Sequence, residues 1–138
     1  MCRCIGIPCR PVSNYQSAHD THQSLTVDRF FDDDLEPVDE RNQDSIWNFH
    51  AWNEVWMTRP DLASSSYDGW QVIDSTPQEL SDGLFRCGPA SVEAVKRGDV
   101  VKPYDTKFVY AEVNADEVFW LHQGYKQPVK LLKHKTTT

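Results

Sequence analysis

Between Ser45 and Glu79 the chain reads SIWNFHAWNEVWMTRPDLASSSYDGWQVIDSTPQE, and its first half alternates with a period of two. Phe49, Ala51, Asn53, Val55 and Met57 fall on one side of that period; His50, Trp52, Glu54 and Trp56 fall on the other. Alternation of this kind, rich in aromatic and β-branched residues, predicts a strand. A second short strand, Trp70 to Asp74, follows a turn-prone segment holding Pro60, Asp61, Ser64 to Ser66, Asp68 and Gly69. A hairpin register that sets His50 directly opposite Asp74 brings their Cβ atoms to about 4.5–5.5 Å, within reach of an imidazole–carboxylate hydrogen bond. A carboxylate on one ring nitrogen fixes the tautomer and leaves the other nitrogen free to act on a nucleophile. Two thirds of a catalytic triad are therefore legible in one stretch, with four of the five Trp around them. Trp56 and Trp70 are expected to pack in the core, while Trp47 and Trp52 flank His50.

A chain of 138 residues can form one domain, and 39% hydrophobic content is globular. The formal charge of −7 argues against nucleic acid as a general partner. No apolar run approaches the roughly 20 residues of a membrane-spanning helix, and the N-terminus MCRCIGIPCR lacks the apolar region of a secretory signal. A cytoplasmic location is the favoured expectation, with an extracellular one left open.

Along the chain, Cys4 to Tyr15 reads as a strand in which Pro8 and Pro11 favour an edge or a bulge. Asn14 to Asp20 reads as polar loop, and Leu25 to Phe30 as a strand. Ala90 to Arg97 reads as a helix beginning after Pro89 and stopping at Gly98. Phe108 to Val113 reads as a further strand. The four cysteines, Cys2, Cys4, Cys9 and Cys87, have neither zinc-ribbon nor CxxC spacing. They read mainly as small buried thiols. Cys87, just before the expected helix, is the one position where a helix dipole would favour a thiolate.

The words WNFHAWNEVWMTRPDL and GWQVIDSTPQE resemble the His and Asp segments of the animal transglutaminases, calcium-dependent enzymes with a papain-like Cys-His-Asp site. The likeness continues through Phe85–Val95 (FRCGPASVEAV) and Phe108–Asp116 (FVYAEVNAD). Upstream it takes in Cys4–Arg10 (CIGIPCR) and Ser17–Asp20 (SAHD), so that it covers about residues 2–124. It implies an α+β fold: a papain-like transglutaminase core, mostly antiparallel sheet with one short helix. It also implies that His50 is the catalytic base, Asp74 its orienting partner, and Trp47 part of the channel that admits the amine. Protein substrates follow, one donating Gln and another supplying Lys or an amine. The family's nucleophile lies in a Gly-Gln-Cys-Trp motif upstream of the segment matching Cys4–Arg10, and these 138 residues hold no such motif. Residues 1–124 are therefore expected to be the His and Asp half of a core, incomplete and inactive alone, with uncovered sheet edges and apolar faces. A scaffolding relative without catalysis is the alternative reading.

Calcium (Ca2+) is the expected cofactor. Asp32 to Asp44 carries seven acids against Arg41, a local charge of −6, which by itself reads as a solvated loop. Asp20, His22, Ser24 and Thr26 stand at alternate positions of an extended loop, as oxygen ligands of a hard cation can. The resemblance implies a calcium loop of Asp20, Ser24, Thr26 through its carbonyl, and Asp44. His22 departs from that pattern, because imidazole is a poor calcium ligand. A second calcium site is implied at Asn114 and Asp116, residues that otherwise read as a polar turn after a strand. Residues 125–138 carry Lys126, Lys130, Lys133 and Lys135 with no acid and are expected to form a basic, disordered tail.

Overall fold

The alternation around His50 is realised as a long strand. In the computed structural model, which describes residues 1–124 and 129–136, strand β1 spans Cys9–His19, β2 Thr26–Phe31 and β3 Ser45–Met57. On β3 the side chains of His50, Trp52 and Glu54 are buried, while Phe49 and Ala51 on the opposite side are exposed. Strand β4, Gly69–Asp74, pairs antiparallel with β3, from Asn53 opposite Ile73 to Met57 opposite Gly69. That register lies two residues from the one expected, so Asp74 meets His50 diagonally rather than directly. A slip of one residue would have turned Asp74 to the other face; a slip of two keeps it on the same face.

After β4 come a two-residue hairpin, β5 (Leu80–Ser81) with β6 (Leu84–Phe85), and then β7, Cys87–Ser91. Helix α1 covers Val92–Arg97 and α2 covers Thr106–Val113; β8, Asp116–Leu121, and β9, Lys130–Thr136, close the described chain. Four strands form an antiparallel sheet in the order β1-β3-β4-β7. A second sheet, β2-β8-β9, joins a parallel pair to an antiparallel one. The α+β, mainly antiparallel organisation is the one expected, and β1, with Pro11 in it, is indeed an edge strand.

Five local expectations are corrected. Asn14 to His19 is not loop but the second half of β1, paired with β3 out to Ser45. Helix α1 begins two residues later than expected, because Ser91 is its N-cap: the Ser91 side chain accepts from the Ala94 N–H, while Ala90 and Ser91 belong to β7. Gly98, at φ 69°, ends α1 in the left-handed conformation as anticipated. Phe108 to Val113 is helix α2, not strand. Its buried positions, Thr106, Phe108, Val109, Ala111 and Glu112, follow a helical stripe that a continuous apolar run conceals. Trp56 is exposed rather than core; it meets Trp70 edge-on at 5.3 Å, and Arg10 lies over the Trp70 ring at 4.1 Å. Residues 130–136, expected in a disordered tail, form β9 against β8, where Lys130, Lys133 and Lys135 occupy a sheet edge. The remainder of that expected tail, 125–128 and 137–138, lies outside the described residues.

Helix α2 joins the two apolar clusters. Phe108 and Val109 pack with Trp52, Val72, Cys87 and Ala90, while Ala111 and the following Ala115 pack with Ala18 and Val27. Asn14 of β1 donates to the Glu112 carbonyl at 2.6 Å and ties the helix across the sheet.

The β3–β4 connection is held by a buried Arg59. Its Nε and Nη2 donate to Asp61 at 2.9 and 2.7 Å. Nη1 donates to the Gln71 side chain and the Pro89 carbonyl at 2.9 and 2.8 Å, and Nη2 also to the Pro103 carbonyl at 2.7 Å. Removing the guanidinium strands buried acceptors on three segments. Arg59→Leu should therefore lower stability by about 3 kcal/mol, read as a shift of the urea midpoint; an unmoved midpoint would contradict this role.

Candidate active site

His50 reaches the site from β3 and Asp74 from the last position of β4. His50 Nε2 and Asp74 Oδ2 are 2.6 Å apart, and the two residues are only 6% and 8% exposed. The other carboxylate oxygen, Oδ1, accepts the backbone N–H of Thr76 at 2.8 Å, so the chain leaving β4 fixes the carboxylate plane. With Nε2 donating to Asp74, the lone pair of His50 is on Nδ1. Two indoles flank the ring, Trp47 at 5.4 Å and Trp52 at 5.9 Å between centroids. An open hollow of about 470 Å³ is bordered by Trp47, Asn48, Phe49, His50, Ala51 and Thr76. A buried carboxylate, an oriented imidazole and an apolar wall are the parts a proton-transferring base requires.

Glu112 of α2 is a third member that the sequence did not single out. It is buried, and its carboxylate lies with the His50 nitrogen and the Asp74 oxygen in a group whose ligand atoms all fall within 4.8 Å of one another. Burial, reinforced by the negative charge of Asp74, pushes the Glu112 carboxyl up to about 9, against the opposing pull of the Gln78 hydrogen bond. Glu112 is thus protonated at neutral pH, and one charge rather than two faces His50. The signal for it was the apolar helical stripe of α2, visible only once that segment is read as helix.

Cys87 does not stand at a helix N-terminus. It lies on β7 opposite Asp74, buried. Burial first, then Glu112, Asp105 and Asp74, push its thiol far above the usual range. This is the reverse of an activated thiolate.

Of the residues expected to form a calcium loop, Asp20, Ser24 and Thr26 are joined by hydrogen bonds, and Asp44 meets the same loop through Thr21 and Asp28. Asp20, fully buried, accepts from the N–H of Leu25 at 2.7 Å and of His22 at 3.1 Å, and from the Ser24 hydroxyl at 3.3 Å. Asp44 accepts from the N–H and hydroxyl of Thr21 at 2.9 and 2.6 Å and from the Asp28 N–H at 3.0 Å. Burial raises the Asp44 carboxyl, but these donors outweigh it and hold the group below its ordinary range. The Ser24 and Thr26 hydroxyls are 2.8 Å apart, and Thr26 Oγ1 donates to Asp28 at 3.0 Å. His22 is exposed, its Nδ1 3.7 Å from Asp44. The donor set is one of hard oxygens, with Asp28 as an unanticipated neighbour. Asn114 caps α2 and donates to the Tyr110 hydroxyl at 2.6 Å; Asp116 begins β8, with His134 Nε2 2.8 Å from its carboxylate. Thr26 pairs with Asp116 across β2 and β8, so the two expected ligand sets adjoin.

Comparison with known proteins assigns the architecture. A sequence model of the transglutaminase-like superfamily matches residues 1–75, the span that contains both His50 and Asp74. The chain belongs to that superfamily. Annulin of Schistocerca americana is 59% identical over 136 residues, which are 96% of this chain and 18% of that protein. Human protein-glutamine gamma-glutamyltransferase Z is 54% identical over 136 residues, 99% of this chain and 19% of that one. The crystal structure of red sea bream transglutaminase superposes with a TM-score of 0.75 at 46% identity, covering 99% of this chain and 22% of its own. The chain thus spans about a fifth of the length of the relatives it matches, and the transglutaminase likeness runs past Gly124 into β9.

The raised carboxyl of Glu112 has a consequence for stability. Once the pH passes the ordinary glutamate value of about 4.3, the unfolded chain ionises Glu112 while the folded chain keeps its proton. The folded state binds more protons over that window, so stability falls as pH rises from about 5 towards 9, by up to about 1.4 kcal/mol per unit. Glu112→Gln should flatten this slope in urea unfolding between pH 6 and 8; an identical slope in the variant would contradict the assignment.

Proposed function

We propose that this sequence supplies the base and its orienting acid to a calcium-dependent protein-glutamine gamma-glutamyltransferase. The observation that carries the reading is the buried 2.6 Å contact of His50 Nε2 with Asp74 beneath the Trp47 ring. Residues 1–124 hold the His and Asp half of the core in this reading. A Cys thiolate from another segment attacks the carboxamide carbon of a protein-bound Gln, and His50, as imidazolium, protonates the departing ammonia. His50 then takes a proton from an incoming Lys amine, which attacks the thioester and forms an isopeptide bond while the thiolate leaves. Asp74 keeps the imidazole in the Nε2–H tautomer through both steps. Trp47 lines the amine's approach and helps keep water, which would hydrolyse the thioester, off the acyl group.

The donor chemistry of Asp20, Ser24, Thr26 and Asp44 supports a calcium site there, and Asn114 with Asp116 supports a second. Bound calcium would supply electrostatic neutralisation of these acids. At calcium a hundredfold above Kd, a native-state site should stabilise the folded chain by about 2.7 kcal/mol. Asp44→Asn should remove most of that shift; a calcium-independent melting temperature in the unsubstituted chain would refute the site.

The function is tested by amine incorporation into a Gln-bearing protein. The 138-residue chain alone should give none, with or without calcium; turnover would put Cys87 back in contention. A chimera of human protein-glutamine gamma-glutamyltransferase Z carrying residues 1–136 in place of its matching segment should incorporate amine in the presence of calcium. In it, His50→Ala should lower kcat by about a hundredfold or more. A folded but inactive chimera would favour the scaffolding alternative.

A further inference from the structure

Trp47 and Trp52 hold the two sides of the His50 ring by different means. Trp52 is a core side chain fixed by packing against Val72, Phe108 and Val109. Trp47 is 42% exposed and, among the described residues, belongs to neither apolar cluster. Its indole N–H instead donates to Gln78 Oε1 at 2.6 Å. The Gln78 amide nitrogen in turn donates to Glu112 Oε1 at 3.0 Å. A ring of side chains therefore closes: His50 to Asp74, Asp74 beside Glu112, Glu112 to Gln78, Gln78 to Trp47, and Trp47 back over His50.

We propose that Gln78 is a positioning residue of this site, one that locks the exposed Trp47 indole against His50 and anchors it to Glu112 behind the Asp74 carboxylate. The chemistry favours a primary amide of this length. An indole N–H only donates, so its partner must accept; the bond to Glu112 Oε1 requires the same side chain to donate. A primary amide does both, whereas a carboxylate offers only acceptors, Lys only donors and Met neither useful group. The backbone on both sides of Gln78 is held. Thr76 donates to Asp74, and Glu79 Oε1 meets His19 Nε2 at 2.7 Å on β1. The His19 ring rests edge-on against Phe108 of α2 at 6.2 Å. The segment leaving β4 is thus strapped to β1 and α2, with Gln78 as its contact to the hollow beside His50. Because the Trp47–Gln78 bond lies at the surface, its loss changes the direction of the indole more than the stability of the fold.

The inference rests on the transferase reading only for its kinetic consequence, and two readouts separate them. In the 138-residue chain labelled at Trp and His, Gln78→Met keeps the side-chain length and removes the amide. It should accelerate hydrogen exchange of the Trp47 indole N–H and shift the His50 ring-proton resonances, which lie under the Trp47 ring current, while leaving the melting temperature nearly unchanged. Trp47→Phe combined with Gln78→Met should be no worse than Trp47→Phe alone in the human transferase Z chimera, since the bond that Gln78→Met removes is then already absent. There Gln78→Met should lower kcat for amine incorporation by about tenfold, with KM for the Gln substrate changed less than twofold, and Gln78→Asn should recover part of the loss. Unaltered Trp47 exchange and His50 shifts in Gln78→Met would overturn the proposal, as would additive losses in the double variant. An unsubstituted chimera without activity, beside the expected changes in the labelled chain, would overturn the transferase reading and leave the role of Gln78 standing.

Discussion

An imidazole and a carboxylate removed together from water survive only if each supplies what the other has lost, and the sheet is arranged around that requirement. Isolated burial of either group would cost several kcal/mol or shift it to its neutral form. The β3–β4 register delivers His50 and Asp74 to one face, the Thr76 N–H takes the second carboxylate oxygen, and Glu112 joins from above as a neutral acid. Were Glu112 ionised as well, two negative charges would crowd within 4.8 Å of one another and of the ring. Its retained proton lets the helix pack against the pair without a second buried charge.

Helix α2 connects everything the sheet does not. Its first turn fills the core around Trp52 and Val72 with Phe108 and Val109. Glu112 stands beside Asp74, and Ala111 with Ala115 closes the smaller cluster around Val27. The chain then passes through Asn114 into β8, whose first residue pairs with Thr26. The proton-handling pair and the oxygen-rich loop therefore both lie at the C-terminal end of one eight-residue helix, Glu112 in its last turn beside Asp74 and Asp116 just beyond its Asn114 cap.

What the sequence disclosed depended on whether a residue's task is expressed locally. The period of two in β3 is written in consecutive residues, and so His50 and Asp74 were legible, as were the left-handed stop at Gly98 and the edge placement of a Pro-bearing β1. The register was not, since hairpin geometry is set by the irregular Thr58–Asp68 connection and by Arg59, whose acceptors outside that connection lie 12 to 44 residues away. Helix α2 was misread because FVYAEV is apolar almost throughout and its stripe emerges only against two neighbouring clusters. The lysines of β9 suggested a solvated tail, yet charge on an edge strand serves equally to deter pairing with another chain. Glu112 and Gln78 were invisible for a related reason. Each is an ordinary polar residue until the fold sets it behind Asp74 or beneath Trp47.

Both outer strands of the four-stranded sheet contain a proline, Pro11 on β1 and Pro89 on β7, and a proline has no N–H to offer an added strand. The second sheet ends in the lysine-bearing β9. Ladder extension is therefore discouraged at β1, β7 and β9. What stays uncovered is a face. Tyr15 and Phe49, directly paired across β1 and β3, are 76% and 61% exposed, with ring centroids 6.3 Å apart. They point away from the core that buries His50 and Trp52, as the two-residue period demands of odd-numbered neighbours. An aromatic pair so placed packs on itself but leaves most of its surface in water. It borders the hollow beside His50 through Phe49, so this exposed aromatic pair is continuous with the hollow that the imidazole itself lines.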